Sequence, residues 1–150
     1  MLHILDTLEK VKLFMINKHS NFVVINKINN HTLEIKVKLK EEKTNSKRYY
    51  VFVKSNYIGT IIEEDVITDG KEVHNKFFIV KGNLFNIDDV LYNKAIVFKK
   101  LFDFIFKEGK IPNNVNIAHI GQCAICGKKL TKPEWIELGI GKKCFENLNK

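Results

Sequence analysis

The sequence predicts an α+β protein: a small antiparallel sheet packed with two helices, followed by a treble-clef-like finger in the last quarter of the chain. Three observations carry this expectation. Apolar and polar residues alternate with a period of two in short runs between residues 22 and 62. Two other stretches, one near the beginning and one around residue 100, place apolar residues at helical spacing. All three cysteines, Cys123, Cys126 and Cys144, fall in one glycine-punctuated segment.

The elements follow in order. Ile4, Leu5, Leu8, Val11 and Met15 form a helical stripe, so Met1 to Ser20 reads as an amphipathic helix that ends at His19-Ser20-Asn21. Glu9, Lys10 and Lys12 interrupt its apolar positions, which sets it apart from a secretory signal. Phe22 to Ile28 reads as a strand, and Asn29-Asn30 suits a tight turn into the next. There Leu33, Ile35, Val37 and Leu39 alternate with Glu34, Lys36, Lys38 and Lys40, the pattern of a half-buried strand with a mostly basic outer face. Glu41 to Lys47 reads as a polar, mobile loop. Tyr49 to Lys54 and Tyr57 to Ile62 form a second hairpin around Ser55-Asn56, and Phe77 to Val80 offers a further strand. Glu63-Glu64-Asp65 and Asp88-Asp89 read as solvated turns. From Tyr92 to Lys107, Ala95, Phe98, Leu101, Phe102, Ile105 and Phe106 share one side of a helix that stops at Gly109, with Pro112 beyond it. Lys110 to Ala118 is then a connector. Residues 1–110 are expected to form the core domain, with 117–150 a metal-binding module packed on it and not independent.

Three thiols and an imidazole make a tetrahedral donor set for zinc. The two-residue gap between Cys123 and Cys126 lets one turn of backbone aim both sulfurs at a single ion, and Gly127 can take the positive φ that closes such a knuckle. Cys144 follows Gly139-Ile140-Gly141, a hinge able to start a helix, and His119 is the natural fourth ligand. Thiol redox chemistry fits less well, because Cys-x-x-Cys redox motifs open a helix in a βαβ context that is missing here. An odd cysteine count argues against a structural disulfide. Four protein ligands close the coordination sphere, so one structural Zn2+ is expected. Deaminase chemistry would need Glu two residues after the His, where Gly121 stands. Around the metal, Thr131 is expected to cap a short helix with Pro133 in its first turn and Glu134 as the capping-box partner, and Gly139 to end it. Leu130, Trp135, Ile136 and Ile140 would form the apolar layer over the metal.

The string from Cys123-Ala-Ile-Cys126-Gly127 through Leu130-Thr131-Lys132-Pro133-Glu134 to Gly139-Ile140-Gly141-Lys142-Lys143-Cys144 resembles an uncharacterised zinc-binding family. That family is a domain of unknown function common in phage and bacterial proteins, and its members typically read Cys-x-x-Cys-Gly-Arg-x-Leu-Thr-x-Pro-Glu-Ser-Ile-x-x-Gly-Ile-Gly-Pro-x-Cys. Many also carry the lead-in seen here as His119-Ile120-Gly121. The resemblance is specific over residues 119–144, looser back to about residue 48 through Tyr57 to Ile61 and Ala95 to Phe106, and does not reach residues 1–47. Lys128, Trp135 and Lys142 depart from the usual Arg, Ser and Pro, and none is an expected ligand. The resemblance implies a metal site and a phage or mobile-element origin, and supplies no activity.

Net charge is +8, yet 24 of the 25 basic residues are Lys and only Arg48 is Arg. Lysines neutralise phosphates as point charges, whereas bidentate reading of guanine calls for Arg. Lys36, Lys38, Lys40, Lys47 and Arg48 with Tyr50 and Tyr57 offer a single-strand platform; the simpler expectation is that the lysines protect a solvated edge and the tyrosines pack on the core. His3, His19, His31 and His74 are scattered surface or turn residues. The acidic residues form no converging set, and phosphate loops and nucleophile elbows are missing, so the chain reads as non-enzymatic. No apolar run approaches the ~18 residues that span a bilayer, and reduced thiols suit the cytoplasm of a bacterial host. Three classes of function follow. The first is a nucleic-acid-associated accessory protein presenting Lys128, Lys129, Lys132, Lys142 and Lys143 to phosphates. The second is a phage effector that binds a host protein, such as an anti-CRISPR inhibitor or a transcription modifier. A ligand-sequestering protein is third, with no polar constellation to support it.

Overall fold

A computed structural model describes residues 1–68, 70–80 and 89–148. The class is α+β, with one antiparallel sheet of seven strands and, among the described residues, four helices. The strands are β1 (His3–Ile4), β2 (His19–Asn26), β3 (Thr32–Lys43), β4 (Ser46–Val53), β5 (Asn56–Thr68), β6 (Gly70–Ile79) and β7 (Val115–His119). The helices are α1 (Leu8–Met15), α2 (Asp89–Phe106), α3 (Pro133–Leu138) and α4 (Lys142–Leu148). Strand order is β1-β7-β2-β3-β4-β5-β6, so five consecutive strands make a meander and β7 returns to lie between β1 and β2.

Several sequence expectations are corrected by long-range pairing. The first helix begins at Leu8, where Thr7 caps it by accepting a hydrogen bond from the Lys10 amide at 3.2 Å. Residues 3 and 4 instead pair with His119 and Ala118 of β7, and His19-Ser20-Asn21 already belongs to β2. The connector 110–118 contains β7, a strand bonded on both sides. The polar loop at 41–47 is the end of a long hairpin: Lys43 pairs with Ser46 after a register irregularity between Leu39 and Glu41. Glu63-Glu64-Asp65 lies within β5, opposite Asn75, His74 and Val73, and is no turn. Asp88 lies outside the described residues, and Asp89 opens α2.

Both long helices lie on one face of the sheet. Ile35, Val37, Tyr49, Val51, Val53, Ile61 and Phe77 line that inner face and meet Val11, Phe14 and Met15 of α1 and Ala95, Phe98, Phe102 and Ile105 of α2. Edge-to-face ring pairs tie the layers, Phe98 on Phe77 at 4.9 Å and Phe14 on Phe22 at 6.5 Å between centroids. The core tyrosine is Tyr49. Tyr50 and Tyr57, expected on the core, project from the opposite face, because strand alternation gives neighbouring residues opposite sides.

Gly59 marks the tightest point of the inner layer. A Cβ there would overlap the Phe78 carbonyl and come within 2.7 Å of Phe77 Cε1, so β5 and β6 pack against the Phe77 ring only without it. Gly59→Ala is expected to destabilise the fold by at least ~1–3 kcal/mol, the usual cost of overpacking, as read by urea unfolding.

Candidate metal centre

The C-terminal segment folds as a knuckle followed by two short helices. Gln122 bridges to Lys129, the Cys123 amide donates to the Lys128 carbonyl at 2.8 Å, and the Gly127 amide returns to the Cys123 carbonyl at 2.9 Å. This turn requires a positive φ at Gly127, where it is 77°. Lys132, not Thr131, stands at the N-cap of α3 and its side chain makes no cap bond, so the expected capping box is not formed. Pro133 sits in the first turn and Gly139 ends the helix in the left-handed conformation, with φ 81°. The Gly139 carbonyl accepts from the Ala124 amide at 3.0 Å, which brings the end of α3 back onto the knuckle. Any Cβ on Gly139 would overlap the Phe14 ring, 2.7 Å from its Cε2. The chain then enters α4, whose first turn carries Cys144.

The result is a three-thiol cluster. The Sγ atoms of Cys123, Cys126 and Cys144 all lie within 4.8 Å of one another, in a gradient from buried Cys123 to exposed Cys126. That is the spacing of donors sharing one ion, and soft thiolates suit transition-metal and d10 cations. Burial pushes the Cys123 thiol up, but the amides of Gly141, Cys126 and Ile125 and the Cys126 thiol outweigh it and bring the pKa below its ordinary value. Two of these amide contacts reach Sγ at 3.3 Å from Gly141 and 3.4 Å from Ile125. Cys144 goes the other way: burial, then its hydrogen bond with Cys126 and the charge of Cys123, push it up to about 12. A thiolate is favoured at Cys123 and ionisation of Cys144 beside it is opposed, an imbalance that a bound cation removes.

The structure does not bring His119 to the thiols. Its buried ring is used twice over: Nδ1 accepts the Gly121 amide at 3.0 Å, and Nε2 donates to the Ile136 carbonyl at 2.6 Å. The ring also stacks on Phe14 at 5.0 Å between centroids and lies 5.3 Å from that of His3. A neutral imidazole meets both demands, and burial holds its pKa below the ordinary value. Among the described residues, three side chains and not four gather at the centre. Leu130 and Ile140 are buried beside it, while Trp135 and Ile136 are partly buried and Trp135 packs on Phe145 at 5.9 Å.

Lys128, Lys129, Lys132, Lys142 and Lys143 are all exposed around this knuckle. None takes part in an ion pair among the described residues, whereas Lys10, Lys43, Lys47, Lys99 and Lys107 all do. One further feature escaped the sequence reading: Phe52 joins Tyr50 and Tyr57 in a ring cluster on the outer sheet face, a placement that the alternation of β4 already implies.

Two outcomes test this geometry. Cys144→Ser should lower bound metal at least tenfold by elemental analysis and open residues 119–148 to limited proteolysis, since metal binding and local folding are linked; full metal content and an unchanged digest would contradict it. His119→Ala should keep the metal while losing ~3–5 kcal/mol of stability, as for other large buried rings. In the native protein the His119 contribution is present above the ordinary histidine pKa of 6.5 and fades as pH falls below it, because the folded state resists protonation. That acid-side slope should flatten in His119→Ala. No family model, curated protein or solved structure matches this chain.

Proposed function

We propose that this is a non-enzymatic, nucleic-acid-associated accessory protein whose three thiolates hold one structural Zn2+ in a treble-clef-like finger. The single observation that carries the nucleic-acid reading is the set of five exposed lysines around the thiol cluster that make no ion pair among the described residues. This group of five exposed ammonium charges, gathered around one knuckle, makes a local positive potential that suits an external polyanion. Its point charges suit phosphates without sequence readout, consistent with the scarcity of Arg.

Zinc is favoured by the donor set. Three clustered thiols on a two-residue knuckle, with amide-to-sulfur hydrogen bonds to Cys123, are a soft donor set that suits this ion. Three negative sulfurs more than cancel the charge of the dication, which lowers its Lewis acidity and supports a structural role. The likeness of residues 119–144 to the phage and bacterial domain signature fits the same reading.

Fluorescence anisotropy with labelled oligonucleotides, on the zinc-loaded protein, tests the proposal. Affinity should fall steeply with salt, and Lys142→Glu with Lys143→Glu should weaken binding about tenfold or more at low salt. Salt-insensitive binding, or none, would overturn it. A stoichiometric host-protein complex that survives nuclease treatment would point to the effector reading instead.

A further inference from the structure

The outer face of the sheet carries a second, chemically different surface. Tyr50, Phe52 and Tyr57 stand there in a mutual cluster, with ring centroids 4.9 Å apart for Tyr50 and Tyr57 and 6.0–6.2 Å for the other pairs. None belongs to the buried core, and both long helices lie on the opposite face. The three rings are partly buried against one another and partly exposed.

Lysines interleave with them by register. Lys38 is the direct partner of Tyr50 across the β3–β4 ladder, and Lys36 is the direct partner of Phe52. The Lys40 ammonium lies over the Tyr50 ring, 4.6 Å from its centroid. Lys36, Lys38 and Lys40 make no salt bridge among the described residues, although Lys43 and Lys47 on the same hairpin do. The patch is also continuous with the knuckle. Lys38 pairs on its other side with His19, whose Cβ lies 3.8 Å from the place a Cβ on Gly127 would occupy.

This combination selects among partners. The cores of protein interfaces are depleted of lysine, so rings separated by ammonium groups are poorly suited to a protein. A nucleic-acid duplex hides the faces of its bases and offers its phosphates and the base edges in its grooves. A single strand offers both, bases for the rings and phosphates for the lysines. We propose that the outer face of β3, β4 and β5 is a platform for single-stranded nucleic acid, on which bases stack against Tyr50, Phe52 and Tyr57 while Lys36, Lys38 and Lys40 follow the backbone. The inference rests on the nucleic-acid reading above and adds the strand type and the surface.

The experiment compares a labelled oligothymidylate with a duplex of equal length, using the zinc-loaded full chain. The single strand should bind at least tenfold more tightly. Tyr50→Ala combined with Tyr57→Ala should cost about tenfold or more in single-strand affinity and leave duplex binding unchanged, because stacking is removed and charge is kept. Tyr50→Phe should restore stacking and retain wild-type affinity. Lys142→Glu with Lys143→Glu should weaken single strand and duplex together. Circular dichroism checks that the alanine variant folds; if it does not, Tyr50→Leu with Tyr57→Leu, which keeps apolar bulk and charge and removes the ring faces, carries the same comparison. Equal binding of strand and duplex, or unchanged affinity in the folded aromatic variant, would overturn the platform while leaving the lysine-rich knuckle as the binding site. Failure of the wild type to bind any oligonucleotide at low salt would overturn both.

Discussion

The insertion of β7 between β1 and β2 is the constraint on which the rest of the molecule depends. It joins a strand at residue 115 to partners near residues 3 and 22, and thereby places His119 in the inner layer against Phe14. From there the His119 ring holds both sides of the finger, the Gly121 amide on the knuckle and the Ile136 carbonyl on α3. Gly139 completes the attachment by letting the helix end settle on the Phe14 ring. The thiol cluster is thus anchored to the sheet from one edge, and the C-terminal segment is continuous with the core that supports it.

Within the finger, electrostatics and backbone geometry act together. Turns that need positive φ at Gly127 and Gly139 aim amides at Cys123 and set the three sulfurs close together, so that the Cys144 thiol is pushed up beside Cys123. A cation held there would couple metal binding to local folding in both directions, offsetting charge among the thiols while the ordered turns define its site.

The sheet divides its two faces by chemistry. One is an aliphatic and phenylalanine layer closed by α1 and α2; the other alternates aromatic rings with ammonium groups. Because neighbouring residues point to opposite sides, Tyr49 and Tyr50 have unrelated roles although they are adjacent in the chain. The same pleat puts Lys36 and Lys38 beside rings and not beside the carboxylates of Glu41 and Glu42, which serve Lys43 and Lys47 farther along the hairpin.

Sequence alone determined the α+β class, the meander from residue 22 to residue 62, the phenylalanine stripe of the second helix, and the three cysteines as a group. These are local signals: a period of two or 3.6, a turn dipeptide, or a two-residue gap constrains the backbone within a few positions. The tertiary structure alone decided that residues 3–4 and 115–119 are strands, that Glu63-Glu64-Asp65 continues a ladder, and that the His119 ring bonds the fold instead of joining the thiol cluster. Each of these depends on a partner far away in the chain. A short strand has no periodicity of its own to declare it, and a histidine four residues before a Cys-x-x-Cys can turn toward the sulfurs or toward a carbonyl with equal local propriety. The choice was made by Phe14 and Ile136, which close the space around the ring and offer it hydrogen-bonding and stacking partners in place of a metal.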